Sequence, residues 1–321
     1  MSLLSICTQV ANDLALVAPS SIVGNTDETA IRLLAQAQAA GEALARTPEN
    51  GWVAMITEYD FYTSATANNI SGTMAEVGGF GQISGLTLGS PVNPVTANTW
   101  YAFGTGVPQN AIITAVSGTD PHSVVTINQA PTATGTGQFT FGQSDYTLPS
   151  NFERVVDNTI WDRSRFWSMR GPQSPQQWQL YKSSVIGRAS IQRRFRFREI
   201  AGNQVFSIDP VPTDNNSALV FEYVSNAWCK SSGGTPQTLW EADTDLGILD
   251  EYLIQLGVRW RMLRRLGFAY QEELDEYDRQ VRKACAKDGG MAILDMTPAE
   301  RLSLIGPWNL PETGFGSVSG T

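Results

Sequence analysis

The chain has 321 residues, 42% of them hydrophobic, and sets 22 Lys and Arg against 31 Asp and Glu for a formal net charge of -9. That length supports one large or two smaller domains with a real core. No apolar run approaches the roughly 20 residues that cross a bilayer, and the N-terminus lacks the basic start of a signal peptide, so the sequence reads as a soluble intracellular product.

Charge is unevenly spread. Residues 1–153 hold only Arg32 and Arg46 against eleven acids, whereas residues 154–321 balance twenty bases with twenty acids. Such a first half does not bind a nucleic-acid backbone by counterion release, which needs Lys and Arg. Cys7, Cys229 and Cys285 lie far apart and in no CxxC pair, so they imply neither a disulfide framework nor a zinc site and read as reduced thiols.

The N-terminus reads as a helical pair. Leu3, Leu4, Cys7, Val10, Ala11 and Leu14 recur every three or four residues, which places them on one face of a helix ending before Pro19. Asn25, with Glu28 three residues on, has the form of a capping box. The helix it opens carries Ile31, Leu34, Ala37 and Leu44 on its apolar face. Residues 52–63 alternate as a strand, with Val53, Met55, Tyr59 and Phe61 on one side.

Composition then changes. Between 77 and 144 the only charged residue is Asp120, while Gly, Thr, Ser, Val, Asn and Pro dominate. Short β-like runs at 83–88, 99–103, 111–116, 124–127 and 139–141 are separated by turn formers, which predicts a small sandwich or barrel. The segment is expected to be an all-β domain, 77–144, inserted into a discontinuous α+β core of 1–76 and 145–290.

Residues 146–182 concentrate Trp, Arg, Pro and Gly. Trp161, Arg163 and Arg165 make one cluster and Trp167 with Arg170 a second; a Gly171-Pro172 turn then leads to an amphipathic stretch carrying Trp178. Planar aromatics beside guanidinium groups supply much of the binding energy at protein interfaces, so these six residues are candidate contacts with other protein surfaces. Farther on, Phe195 and Phe197 share one strand face while Arg194, Arg196 and Arg198 share the other. That arginine stripe either faces DNA in a channel or pairs with acids on an adjacent strand or subunit.

The C-terminal part is expected to form a long helical hairpin. Leu246, Leu249, Leu253, Leu256, Trp260 and Leu263 alternate spacings of three and four, Thr244 or Asp243 can cap the start, and Gly267 suits the position after the end. Tyr270, Leu274, Tyr277, Val281 and Ala284 repeat the seam until Gly289 and Gly290 stop it. Residues 291–321 have little to bury on their own. Thr297-Pro298 with Glu300 can open one short helix, and Trp308 and Phe315 then sit in an extended arm as anchors for another subunit. The expected fold class is therefore α+β: a helical bundle made of the N-terminal pair and the C-terminal hairpin, with an antiparallel sheet, the inserted all-β domain and the arm.

Catalytic motifs are scarce. His122 is the only histidine, which excludes most His-based triads and His-rich metal sites, and no GxxxxGK[ST] occurs. Asp243, Asp245, Asp250 and Glu251 are the remaining candidates for a glycosidase pair or a cation site, and helix capping accounts for them more simply. The sequence thus reads as a non-enzyme with no metal and no cofactor.

The order of several motifs resembles the head-to-tail adaptor (connector) proteins of tailed, especially short-tailed, bacteriophages. The residues are Leu148-Pro149, Phe152 and Arg154; Thr159 and Trp161-Asp162-Arg163; Gly171-Pro172, Ser174-Pro175 and Trp178. Further segments agree: Phe221-Glu222-Tyr223 with Trp228, Asp243-Thr244-Asp245 with Leu249-Asp250-Glu251, and Leu256-Gly257-Val258-Arg259-Trp260-Arg261 followed by Gly267-Phe268 and Tyr270. The match covers about 1–64 and 146–290, and the β insertion departs from simpler members. The resemblance implies a structural virion protein at the head-tail junction, assembled in the host cytoplasm as a homo-oligomeric ring of twelve copies. Its partners would be the portal protein and a tail nozzle or hub. DNA would pass through the lumen without sequence-specific binding, and no membrane is involved. Two rival functions attach to other features: a carbohydrate- or receptor-binding module using Trp100, Tyr101 and Phe103 of the insertion, and a cell-wall hydrolase using the carboxylates around Asp250 and Glu251.

Overall fold

A computed structural model describes residues 1–48, 51–65, 69–88, 98–118, 123–183, 192–200 and 202–288. In chain order its elements begin with helices α1 (Leu3–Asp13) and α2 (Glu28–Ala45), then β1 (Ile56–Tyr62), β2 (Ile70–Val77), β3 (Phe80–Leu86), β4 (Trp100–Gly104), β5 (Ile113–Ser117), β6 (Ser123–Ile127) and β7 (Gly135–Gln143). There follow β8 (Asp145–Thr147), β9 (Phe152–Val155), β10 (Trp161–Asp162), β11 (Trp167–Ser168), α3 (Pro175–Ser183), β12 (Arg194–Ile200), β13 (Asn203–Asp209) and β14 (Ala218–Ser225). The last are β15 (Cys229–Lys230), β16 (Pro236–Gln237), β17 (Leu246–Gly247), α4 (Glu251–Leu266) and α5 (Gln271–Lys287). The chain divides into two compact units: one of Met1–Glu58, Pro149–Val156 and Glu222–Ala299, the other of Tyr59–Leu148, Asp157–Phe221 and Glu300–Thr321, of which 300–321 lie outside the described residues.

The first unit is built on helices. Ser2 caps α1 by accepting the Ser5 amide, and Leu3, Ile6, Cys7 and Val10 are fully buried. In α2 the buried face is Ala30, Leu33, Ala37, Ala40 and Leu44, one position round from the expected one, so that Ile31 is 53% exposed. Asn25 does not cap this helix. Its amide group donates to the Ser21 carbonyl and its oxygen accepts the Asp27 amide, closing a local turn, and Asp27 occupies the cap position. Gly41 is where α2 meets the Trp228 ring: a Cβ built there would stand 2.1 Å from the ring carbon Cζ3. Trp228 in turn packs edge-on against Trp240, centroids 5.1 Å apart.

The second unit is dominated by strand. Six strands run in the order β4-β7-β2-β3-β6-β5. They close on themselves through an antiparallel bridge between Tyr101 and Ile112, with the Ala102 amide donating to the Ala111 carbonyl at 3.0 Å. The closed barrel is filled by Trp100, Phe139, Phe141, Met74, Ile83 and Ile127. Burying one such side chain stabilises by about 1.5–3 kcal/mol, so the barrel has its own core. Beside it, β12, β13 and β8 form a three-stranded antiparallel sheet whose Phe195 and Phe206 stack at 5.3 Å, with Phe206 and Phe221 stacked at 5.6 Å.

The expectation of a helical bundle with an antiparallel sheet and an inserted small all-β domain is corrected by these elements. Among the described residues seventeen strands in four sheets outweigh five helices. Nor is there the long C-terminal helical hairpin that the spacing predicts. Leu246 belongs to strand β17, Asp250 rather than Thr244 or Asp243 caps α4, and α4 packs against α1 and α2 as well as α5. The three-and-four spacing that carried the expectation began in extended chain. Residues 53–55 form a 3-10 turn with Val53 half exposed, so the strand starts at Ile56. The C-terminal arm, with Trp308 and Phe315, lies outside the described residues.

Candidate functional site

The Trp-Arg block is shared between the two units. Pro149–Val156 belongs to the helical unit, where β9 pairs with the second half of β14, and the part from Asp157 belongs to the strand-rich unit. There β10 and β11 form a sheet-edge hairpin: Trp161 lies opposite Ser168 and Asp162 opposite Trp167, and on its other side β10 pairs with β14 through Val220 and Leu219. Residues 163–166 turn the hairpin over. Phe166 sits at φ 58°, a left-handed conformation that a bulky side chain rarely adopts, and it is 60% exposed.

Buried charge fixes the base of that hairpin. The Asp162 carboxylate accepts the Arg165 amide at 3.0 Å and faces an Arg193 guanidinium nitrogen at 3.1 Å, with both side chains almost fully buried. Arg193 also donates to both Asp214 oxygens, at 2.7 and 3.0 Å, and Arg165 reaches the same carboxylate at 3.3 Å. Burial raises the Asp162 carboxyl above its ordinary value despite Arg193. Burial alone would raise Asp214 as well, but the Ser217 hydroxyl, Arg193 and Arg165 together hold it below. A second set surrounds α3. Lys182 pairs with Asp209 at 2.9 Å and lies over the Tyr101 ring at 4.7 Å and the Trp178 ring at 5.4 Å. Arg194 shares Asp209 and stacks on Tyr181 at 3.7 Å.

The candidate interface residues accordingly separate. Trp178 is 5% exposed and is spent inside the chain. Trp161 and Trp167 are half-buried, whereas Arg163, Arg165 and Arg170 are exposed, Arg170 with its Nε donating to Gln192 at 2.6 Å. Of the arginine stripe, Arg194 is taken up by Asp209 and Arg198 by Asp145 at 2.7 Å, while Arg196 is half-buried. Asp145 is 1% exposed and also accepts the Ser144 and Ser207 hydroxyls. Pairing with an acid on an adjacent strand, one of the two expectations for the stripe, is what Arg194 does: the register of β12 on β13 puts it directly opposite Asp209. The identity of the other buried acids was not legible in the sequence.

The rival sites look different in three dimensions. Trp100 is 1% exposed inside the barrel and Tyr101 is 7% exposed beneath Lys182, so neither is the open stacking platform expected of them; Phe103 is half-buried. The carboxylates serve the backbone. Asp243 accepts the Ile22 and Val23 amides, Asp245 those of Glu241 and Ala242, and Asp250 that of Tyr252, while Glu251 pairs with the N-terminal amine. Burial, with Asp243 and Asp245 respectively nearby, pushes the Cys7 and Cys229 thiols up to about 12, which makes them poor nucleophiles. No cluster of three metal-ligating side chains occurs among the described residues, and His122 lies outside them. No family model matches the chain, and no curated protein matches it either.

Proposed function

We propose that this protein is a structural ring component of a tailed-phage virion, placed between portal and tail, where its copies extend the DNA channel and offer a platform for the tail nozzle. The order of the Trp, Arg, Gly and Pro motifs along the chain supports the reading. So does the distribution of work among the side chains: buried charged groups hold the loops, and Phe166 with Arg163, Arg165 and Arg170 is exposed. The observation that carries it is the β10–β11 hairpin. Its base is clamped by Asp162, Arg193 and Asp214, while Arg163 and the left-handed Phe166 stand exposed at its turn. A strained, exposed aromatic persists only when its surroundings enforce it, and such residues concentrate where binding occurs. Closed rings need two unlike patches on each copy, and an exposed turn anchored at a sheet edge suits one half of such a contact.

The test is electron microscopy and native mass spectrometry of the purified chain, alone and mixed with the portal ring. The expected result is a ring, formed alone or on the portal. An Arg163→Asp/Phe166→Asp variant should keep its circular dichroism spectrum and lose at least about tenfold in assembly, the size of a hot-spot truncation. A chain that remains monomeric under both conditions overturns the proposal.

A further inference from the structure

The helical unit contains a groove of about 390 Å³ whose apolar floor is made by Leu44, Trp52, Leu249, Leu253 and Ala284. Lys283 and Lys287 stand on its rim, one helical turn apart on α5. Asp288 also lines it, and this is where the described chain ends. That end is held in place. The Asp288 carboxylate accepts the Val53 amide at 2.8 Å and its own backbone is extended (φ -72°, ψ 129°), so α5 has ended where Asp288 lines the groove.

The residues immediately C-terminal to Asp288 suit the groove. Gly289 and Gly290 permit a sharp reversal. Residues 291–296 are then Met-Ala-Ile-Leu-Asp-Met, five apolar side chains and one acid. Three to eight residues reach at most about 10–29 Å when extended, so the run can return to a groove on whose rim it starts. Tethering at that distance raises its effective concentration to the millimolar range, far above any free competitor. Asp295 would meet Lys283 and Lys287.

We infer that residues 291–296 of the same chain occupy this groove, with Ile293 and Leu294 on its floor. This seats the root of the C-terminal segment on the helical unit, so that Trp308 and Phe315 act from a fixed origin. The inference stands apart from the ring reading: a chain that never assembles can still seat the segment.

A photo-crosslinking amino acid replacing Leu294 in the full chain, irradiated at low micromolar concentration in a mixture of 15N-labelled and unlabelled protein, tests it directly. Crosslinks should fall on 44–54, 248–253 or 280–288 and should join fragments of one isotope only. Hydrogen exchange provides the second reading: an Ile293→Asp/Leu294→Asp variant should speed amide exchange in 248–253 by about fivefold or more while α1 is unaffected. Mixed-isotope crosslinks would assign the groove to a second copy, and crosslinks elsewhere or unchanged exchange would leave it to another partner; each of these overturns the inference.

Discussion

Single residues in this protein are distinguished by what their charge is asked to do. Arg193 and Arg165 both serve Asp214, but Arg193 is 2% exposed and also neutralises the buried Asp162, while Arg165 is 41% exposed. Removing one partner from a buried ion pair strands the other charge, at about 3–5 kcal/mol, whereas an exposed pair is worth about 0–1 kcal/mol. Denaturant unfolding of Arg193→Ala should therefore show a loss several times that of Arg165→Ala; equal losses would mean that Asp162 is not held by Arg193. Thiol chemistry gives an independent residue-level check. Cys7 and Cys229 are buried with their thiols pushed to about 12, whereas Cys285 is half-buried, its thiol raised less. Alkylation of the native chain at neutral pH, followed by peptide mass spectrometry, should modify Cys285 first and reach the other two only on unfolding.

Among the elements, the barrel makes the clearest claim. If β4 were an open edge, its amides would exchange like those of any exposed strand. Because the Ala102 amide donates to Ala111 across the closure, it should be protected to the same order as the inner strand β2; fast exchange at Ala102 would show the sheet to be open. The strand runs behind this barrel were legible because short alternating segments with Gly-rich turns leave few other solutions, and the runs read at 83–88, 99–103, 111–116, 124–127 and 139–141 overlap β3 to β7. Strand β2 was not, since Gly72 and Ala75 have little intrinsic strand preference and are held extended by pairing with β3 and β7. Helix faces suffered a related ambiguity. In α2 the sets Ile31-Leu34-Ala37 and Ala30-Leu33-Ala37 both satisfy helical spacing, and only contact with Trp228 at Gly41 selects the second. The same limit explains Trp100 and Tyr101: adjacent strand residues point to opposite sides, and no local pattern reveals that barrel and α3 cover both.

Over the whole molecule, charge follows the units rather than the halves of the chain. The helical unit as far as Ala299 carries twelve Lys and Arg against twenty Asp and Glu, while Tyr59–Leu148 with Asp157–Phe221 carry nine of each. The N-terminal deficit of bases was plain in the sequence; what was not is that the acids of α5 join it in space while the arginines after Asp157 belong with the barrel, whose strands carry a single charged residue, Glu76. Nor could sequence show how few of those arginines remain available, for Arg193, Arg194, Arg198 and Lys182 are all engaged by Asp162, Asp214, Asp209 and Asp145. Electrostatic capture of DNA needs several free cations at once, and a surface that neutralises 6–10 phosphates loses about 10³–10⁵ in affinity between 50 and 200 mM salt. A chain with this distribution should show no saturable binding to a labelled duplex below about 10 μM at either salt, measured by fluorescence anisotropy. Binding tighter than that with a steep salt slope would mean that Arg163, Arg165, Arg170 and Arg196 act together as a docking surface for the phosphate backbone.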